Sequence, residues 1–243
     1  MKRPLIVAHR GARLEAPENT MLAFQKAKEM GADGVELDVL LSKDKHWVIT
    51  HNDDLRQYAG VPGRVCRSNL TDLRSLDFGS HFSSQFKGEK IPTLAELFDF
   101  LRGDMMINVE IKESNIRRNG CEEILIKLIR DLKMQDQVWV SSFNIFALRR
   151  MWKLAPEIKR GYLFYERQDP FSKKGGWDFY VKPQSWNISR ALIRPSTIES
   201  IHQKNRECWI WTVNDPKEVE QFSHEGADVI ITDNPRAFIH PKI

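Results

Sequence analysis

The chain has 243 residues, of which 41% are hydrophobic and 29% charged, and its formal net charge is +4. That composition buries a core of domain size and excludes a disordered chain. The small positive charge is spread without a long basic run, so it allows a small anionic substrate and gives no case for nucleic acid.

No apolar run approaches the roughly 18 residues of a membrane span, which argues against stable membrane insertion. The four apolar residues Leu5–Ala8 before His9 are too few for a signal-peptide core of about 7–15, so a cytoplasmic protein is expected. Cys66, Cys121 and Cys208 are odd in number, far apart and lack a Cys-x-x-Cys pair. They read as free thiols rather than as zinc ligands or a disulfide framework.

Along the chain, short apolar runs alternate with amphipathic stretches. The predicted strands are Leu5–Ala8, Gly34–Leu41, Met105–Ile111, Val138–Ser142, Gly161–Phe164, Gln184–Ser189, Cys208–Val213 and Asp228–Thr232. Predicted helices cover Thr20–Met30, Thr93–Leu101, Cys121–Lys133, Ile145–Leu154, Pro195–Asn205 and Pro216–Glu225. Pro17-Glu18-Asn19-Thr20 reads as a helix start, and so does Thr93 with Glu96 three residues on. Eight strands with helices between most of them predict an α/β fold closed as a (β/α)8 TIM barrel.

Two stretches break the rhythm. Glu36–Leu41 and Trp47–Thr50 are separated only by Ser42–His46, too few residues for a parallel crossover, so they read as an antiparallel hairpin. A turn centred near Asp44 and Lys45 puts Asp38 about opposite His51. Residues 54–91 hold Gly60, Pro62, Gly63, Gly79 and Gly88 with little periodicity. They read as a small inserted subdomain after the second strand, on the C-terminal face of a single barrel domain spanning 1–243. Phe78, Phe82 and Phe86 are expected to give that insertion a small core, the other use being an apolar slot for lipid.

Glu36 and Asp38 are two apart on a strand, so both side chains point the same way. Glu110 and Lys112 repeat the spacing. Clustered carboxylates on an inward face are costly unless paired or bound to metal, and all-oxygen ligands suit Mg²⁺ or Ca²⁺. His9 and Arg10 directly follow the first strand, and Gly11 permits a tight turn. Two histidines can act as acid and base together, and Arg10 offers a planar fork for phosphate oxygens. Ser141–Asn144, Trp211–Asn214 and Ile231–Pro235 end strands on the same rim. Phe143 and Trp211 are candidate pocket walls, with core packing as the alternative. Asp233-Asn234-Pro235 reads as a turn and helix start.

Ala8-His9-Arg10-Gly11, Pro17-Glu18-Asn19-Thr20, Glu36-Leu37-Asp38-Val39, His51-Asn52-Asp53, Pro92-Thr93-Leu94, Asn108-Val109-Glu110-Ile111-Lys112, Ser142-Phe143, Trp211-Thr212-Val213-Asn214 and Ile231-Thr232-Asp233-Asn234-Pro235 occur in that order. This pattern, over about residues 5–238, resembles the glycerophosphodiester phosphodiesterase family. The resemblance implies a (β/α)8 barrel that hydrolyses glycerophosphodiesters, such as glycerophosphocholine or glycerophosphoethanolamine, to sn-glycerol 3-phosphate and an alcohol. It also implies Glu36, Asp38 and Glu110 as metal ligands and His9 and His51 as the acid/base pair. Arg10 and Lys112 correspond to phosphate-contacting cations and Trp211 to a substrate-pocket aromatic. By the same resemblance His51 is the base and His9 the acid, an assignment the residues themselves leave open.

The sequence departs from the family pattern at two points. Asn52-Asp53 follows His51 where an aspartate often follows at once, and Lys204-Asn205-Arg206-Glu207 stands where a glycine is usual. Three carboxylates, one divalent ion, Arg10 and Lys112 sum to about +1, close to balance with a singly charged phosphodiester. The alternatives are a lysophospholipase D acting on lysophospholipids, a catalytically dead barrel that only binds a phosphorylated ligand, and a retaining glycosidase. The last would leave both histidines and Arg10 idle.

Overall fold

The protein is described by a computed structural model over residues 3–112 and 120–239. Nine strands form one sheet: β1 (Leu5–His9), β2 (Gly34–Leu41), β3 (Trp47–Ile49), β4 (Met106–Ile111), β5 (Val138–Ser142), β6 (Lys159–Phe164), β7 (Ser185–Ser189), β8 (Glu207–Trp211) and β9 (Val229–Thr232). Eight are parallel and follow one another round the sheet. Pairing of β1 with both β9 and β2 closes them into a barrel. This is the predicted (β/α)8 architecture. The ninth strand, β3, pairs antiparallel with the upper part of β2.

Strand alternation explains where the polar residues go. Val35, Leu37 and Val39 of β2 face outward into the main core, with Ile107, Val109 and Ile111 of β4. Glu36, Asp38, Asn108 and Glu110 lie between them and therefore face the barrel interior. Below them the interior is filled by Val7, Trp139, Trp209, Val229 and Ile231, with the Trp139 and Trp209 rings 4.5 Å apart.

The helices are α1 (Met21–Glu29), α2 (Arg56–Ala59), α3 (Leu70–Ser75), α4 (Leu94–Leu101), α5 (Cys121–Asp131), α6 (Ile145–Leu154), α7 (Pro170–Lys173), α8 (Asp178–Val181), α9 (Thr197–His202) and α10 (Pro216–His224). Thr20 caps α1, accepting from the Ala23 amide. Thr93 and Glu96 form the expected reciprocal capping box on α4. The short α7 and α8 fill the β6–β7 crossover, where sequence periodicity indicated no helix. Asn205 stands at φ +57°, so an asparagine takes the left-handed position that a glycine would otherwise occupy.

Two expectations need correction. Register pairs Val39 with Ile49, and the Thr50 amide donates to the Asp38 carbonyl at 2.9 Å, so Thr50, not His51, lies opposite Asp38. The turn sits half a residue earlier than its polar residues suggested. Residues 54–91 carry α2 and α3 and enclose a satellite core of Leu40, Val48, Leu55, Tyr58, Val65, Leu73, Phe78 and Ile91. Only Phe78 of the three phenylalanines joins it. Phe82 is 42% exposed and meets Phe86 edge-on. All three cysteines are free thiols. Among the described residues no helix is long and apolar enough to cross a membrane.

Candidate active site

The C-terminal mouth of the barrel opens into a cavity of about 460 Å³. His9, Arg10, Glu36, His51, Glu110 and Lys112 line one part of it, and Phe143, Leu163, Tyr165 and Trp211 another. Asp38 is 1% exposed beneath them. The structure thus brings every candidate site residue from the sequence to one place.

Glu36, Asp38 and Glu110 each offer a carboxylate oxygen within 4.8 Å of the others. Register explains the grouping, because Asp38 stands beside Glu110 across β2–β4, and His9 beside Glu36 across β1–β2. Burial, then the charges of Asp38 and Glu110, hold the Glu36 carboxyl well above the usual range. Glu110 is pushed up to about 7 by burial and by Asp38. Asp38 stays below the usual range despite burial, because Arg10, Lys112 and His51 surround it. One Asp38 oxygen, Oδ1, is buried without a hydrogen bond. Three converging buried oxygens, two of them unwilling to ionise without more positive charge, fit a hard divalent cation.

Two cations border the triad. Lys112 Nζ donates to Glu110 Oε1 at 2.8 Å and lies 3.5 Å from Asp38 Oδ1. Arg10 Nε sits 3.0 Å from Asp38 Oδ2, and its Nη1 donates to Glu18 Oε1 at 2.9 Å. Burial opposes the charge on Arg10, but Asp38, Glu18 and Glu36 outweigh it. Arg10 adopts φ +57° and Gly11 φ +80°. A Cβ on Gly11 would come within 2.7 Å of the Ala23 backbone carbon, so the turn that aims Arg10 requires glycine there.

The histidines have different supports. His9 Nδ1 is 2.6 Å from Asp233 Oδ1, leaving Nε2 directed at the triad, 3.8 Å from Glu36 Oε2. Asp233 also accepts from Asn214 Nδ2 at 2.8 Å. It is held down to about 2 despite burial, chiefly by His9, Asn214 and Arg13. His51 Nδ1 is 3.1 Å from the amide oxygen of Asn52, which contacts Gln57 in turn. Burial, with Arg10 and Lys112, pulls His51 down to about 4 against the attraction of Asp38. Asp53, the other residue of that departure from the family pattern, pairs with Arg64 at 2.6 Å instead.

Several contacts escaped the sequence reading. Asp233 read as a turn residue. No local pattern marks it as a histidine partner; the pairing of β9 with β1 sets the residue after the last strand beside the residue that ends the first. Asn19, taken as part of a helix start, is buried and donates from Nδ2 to Asp38 Oδ2 at 3.0 Å. Glu18 gathers Arg10, Arg13 at 2.6 Å and the Tyr58 hydroxyl at 3.0 Å, tying the insertion to the site. Tyr165 joins the aromatic wall, edge-on to Phe143 at 5.2 Å, and Phe143 meets Trp211 at 5.8 Å.

A parallel barrel with carboxylates, imidazoles and cations gathered at its C-terminal mouth has the layout of a barrel enzyme. Residues 9–237 match the sequence profile of the glycerophosphoryl diester phosphodiesterase family, and the chain belongs to that family. A glycerophosphodiester phosphodiesterase from Caldanaerobacter subterraneus subsp. tengcongensis is 35% identical over 98% of this chain and 97% of its own. A crystal structure of a glycerophosphodiester phosphodiesterase from Agrobacterium tumefaciens superposes with TM-score 0.84 at 27% identity, covering 97% of this chain and 98% of that one. An Oleispira antarctica phosphodiesterase, in complex with the product sn-glycerol-3-phosphate, superposes with TM-score 0.83 at 28% identity over 97% and 95% of the two chains. The chain is accordingly an enzyme, a phosphoric diester hydrolase.

Proposed function

We propose that the protein hydrolyses small glycerophosphodiesters, glycerophosphocholine and glycerophosphoethanolamine among them, to sn-glycerol 3-phosphate and the free alcohol. The observation that carries this reading is the meeting of His9, His51, Arg10, Lys112 and the carboxylate triad in a single cavity. In this reading the chain works as one barrel domain with 54–91 as a small inserted subdomain.

Glu36, Asp38 and Glu110 would hold one Mg²⁺ or Ca²⁺. When bound, the ion would neutralise the triad and stabilise charge on the phosphoryl oxygens. Arg10 and Lys112 bind the phosphoryl oxygens and keep the diester in place. His51 is the base: its surroundings keep the imidazole neutral, with Nδ1–H donated to Asn52 and Nε2 free to accept a proton. Its proton comes from the nucleophile, either a water that yields sn-glycerol 3-phosphate directly or the glycerol 2-hydroxyl. The hydroxyl gives a transient cyclic phosphate that a water then opens with the two histidines exchanging roles. His9 is the acid, protonating the leaving alcohol from Nε2 while Asp233 accepts from Nδ1–H and balances the imidazolium. Phe143 and Trp211 wall the substrate.

Phosphorus NMR of the products tests the reading. Glycerophosphocholine should yield sn-glycerol 3-phosphate and choline. EDTA should abolish turnover, and Mg²⁺ or Ca²⁺ should restore it. Production of phosphocholine, or metal-independent turnover, would sink the proposal. Lysophosphatidylcholine in the same assay separates a lysophospholipase D from an enzyme of short diesters.

A further inference from the structure

The aromatic wall takes no part in the proton transfers above, and its place in the barrel gives it a different task. The carboxylates and cations belong to β1, β2 and β4 or the residues just after them. Phe143, Tyr165 and Trp211 come from the ends of β5, β6 and β8, across the mouth. Phe143 stands nearly perpendicular to both neighbours, at 83° to Tyr165 and 79° to Trp211. Trp211 Nε1 donates to the Asn187 carbonyl at 2.9 Å, which fixes that ring. Leu163 and Ile231 complete this side, and the carboxylates that line the cavity, Glu36 and Glu110, are on the other.

A phosphodiester anchored on Arg10 and Lys112 must send one substituent toward this wall. With the bound phosphodiester balancing the charge of the polar side, a positively charged substituent gains most from the ring faces. No carboxylate is among the residues lining this side of the cavity, Phe143, Leu163, Tyr165, Trp211 and Ile231, so a primary ammonium resting on them would lose water without an ionic acceptor from the wall itself. A quaternary ammonium carries its charge on methyl groups and needs none. Resting on the phosphodiesterase reading, we propose that Phe143, Tyr165 and Trp211 form a headgroup subsite that selects quaternary ammonium alcohols of the choline type.

The test compares kcat/KM for glycerophosphocholine with that for its uncharged carbon isostere, the 3,3-dimethylbutyl diester of glycerol phosphate, and with glycerophosphoethanolamine. Wild type with Mg²⁺ or Ca²⁺ should prefer glycerophosphocholine over the isostere by about five- to thirtyfold. Glycerophosphoethanolamine should fall below glycerophosphocholine. Phe143→Leu and Tyr165→Leu should bring the choline-to-isostere ratio toward one, whatever they cost in overall rate. Equal turnover of the two by wild type overturns the subsite, and that comparison needs no variant to fold. An unchanged ratio in both leucine variants also overturns it, and would mean that the rings pack against the glycerol. Turnover of none of the three overturns the phosphodiesterase reading itself, and the subsite with it.

Discussion

His9 and His51 face the same carboxylate triad from differently built surroundings. His9 leans on a carboxylate, Asp233, which lies 224 positions away in the chain and accepts at 2.6 Å. His51 leans on the amide of its own neighbour, Asn52, at 3.1 Å. A carboxylate balances a proton-carrying imidazole, whereas an amide only orients a neutral one. In the proposed mechanism this difference separates the tasks of two residues of the same type, and it comes from what stands behind each ring rather than from what stands in front.

The largest test of this contrast removes each ring. His9→Ala and His51→Ala should each lower kcat by ~10²–10⁴-fold on glycerophosphocholine. If either variant kept near wild-type turnover, the acid/base pairing would be wrong. Asp233→Asn comes next. It keeps the shape but replaces the carboxylate, and kcat should fall about 10–100-fold with KM little changed. A change confined to KM would make Asp233 a substrate contact and not a support for His9.

Cation binding at the triad should depend on pH. Glu36 and Glu110 hold protons more tightly folded than unfolded. Their contribution to stability is present below their ordinary value of 4.5 and is lost as pH rises through the folded value, about 7 for Glu110. A divalent cation bound at the triad would take over from those protons. The rise in Tm on adding Mg²⁺ or Ca²⁺ to metal-free protein should therefore be greater at pH 8 than at pH 5 by a few degrees, which corresponds to about 1–2 kcal/mol of stabilisation. Equal shifts at the two pH values would remove the triad as the binding site. The smallest effect is expected from Asn52→Ala. With His51 kept neutral mainly by burial, losing the amide should cost only about two- to threefold in kcat/KM. A loss as deep as that of Asp233→Asn would mean that the two supports are equivalent.

The sequence by itself determined everything that repeats or lies close in the chain. Alternation of apolar and polar positions in Gly34–Leu41 fixes Glu36 and Asp38 on one face and Val35, Leu37 and Val39 on the other. Thr93 and Glu96 mark a helix start because a capping box closes over three residues. Eight strands with helices between most of them, and no membrane-length apolar run, determined a barrel, and residues ending its strands determined the rim. The tertiary structure alone decided relations that depend on closure and register. Asp233 reaches His9 only because β9 pairs with β1, a contact between the two ends of the fold that no local pattern encodes. Thr50, one residue short of His51, is opposite Asp38 because the turn's hydrogen bonds, not its polar residues, set the register. Tyr165 lies one residue past the predicted strand Gly161–Phe164 and joins the aromatic wall because the closed barrel sets it edge-on to Phe143. Short-range sterics and patterning are written in neighbouring residues, whereas the partners of a catalytic side chain are set by which strand ends the closed barrel brings together.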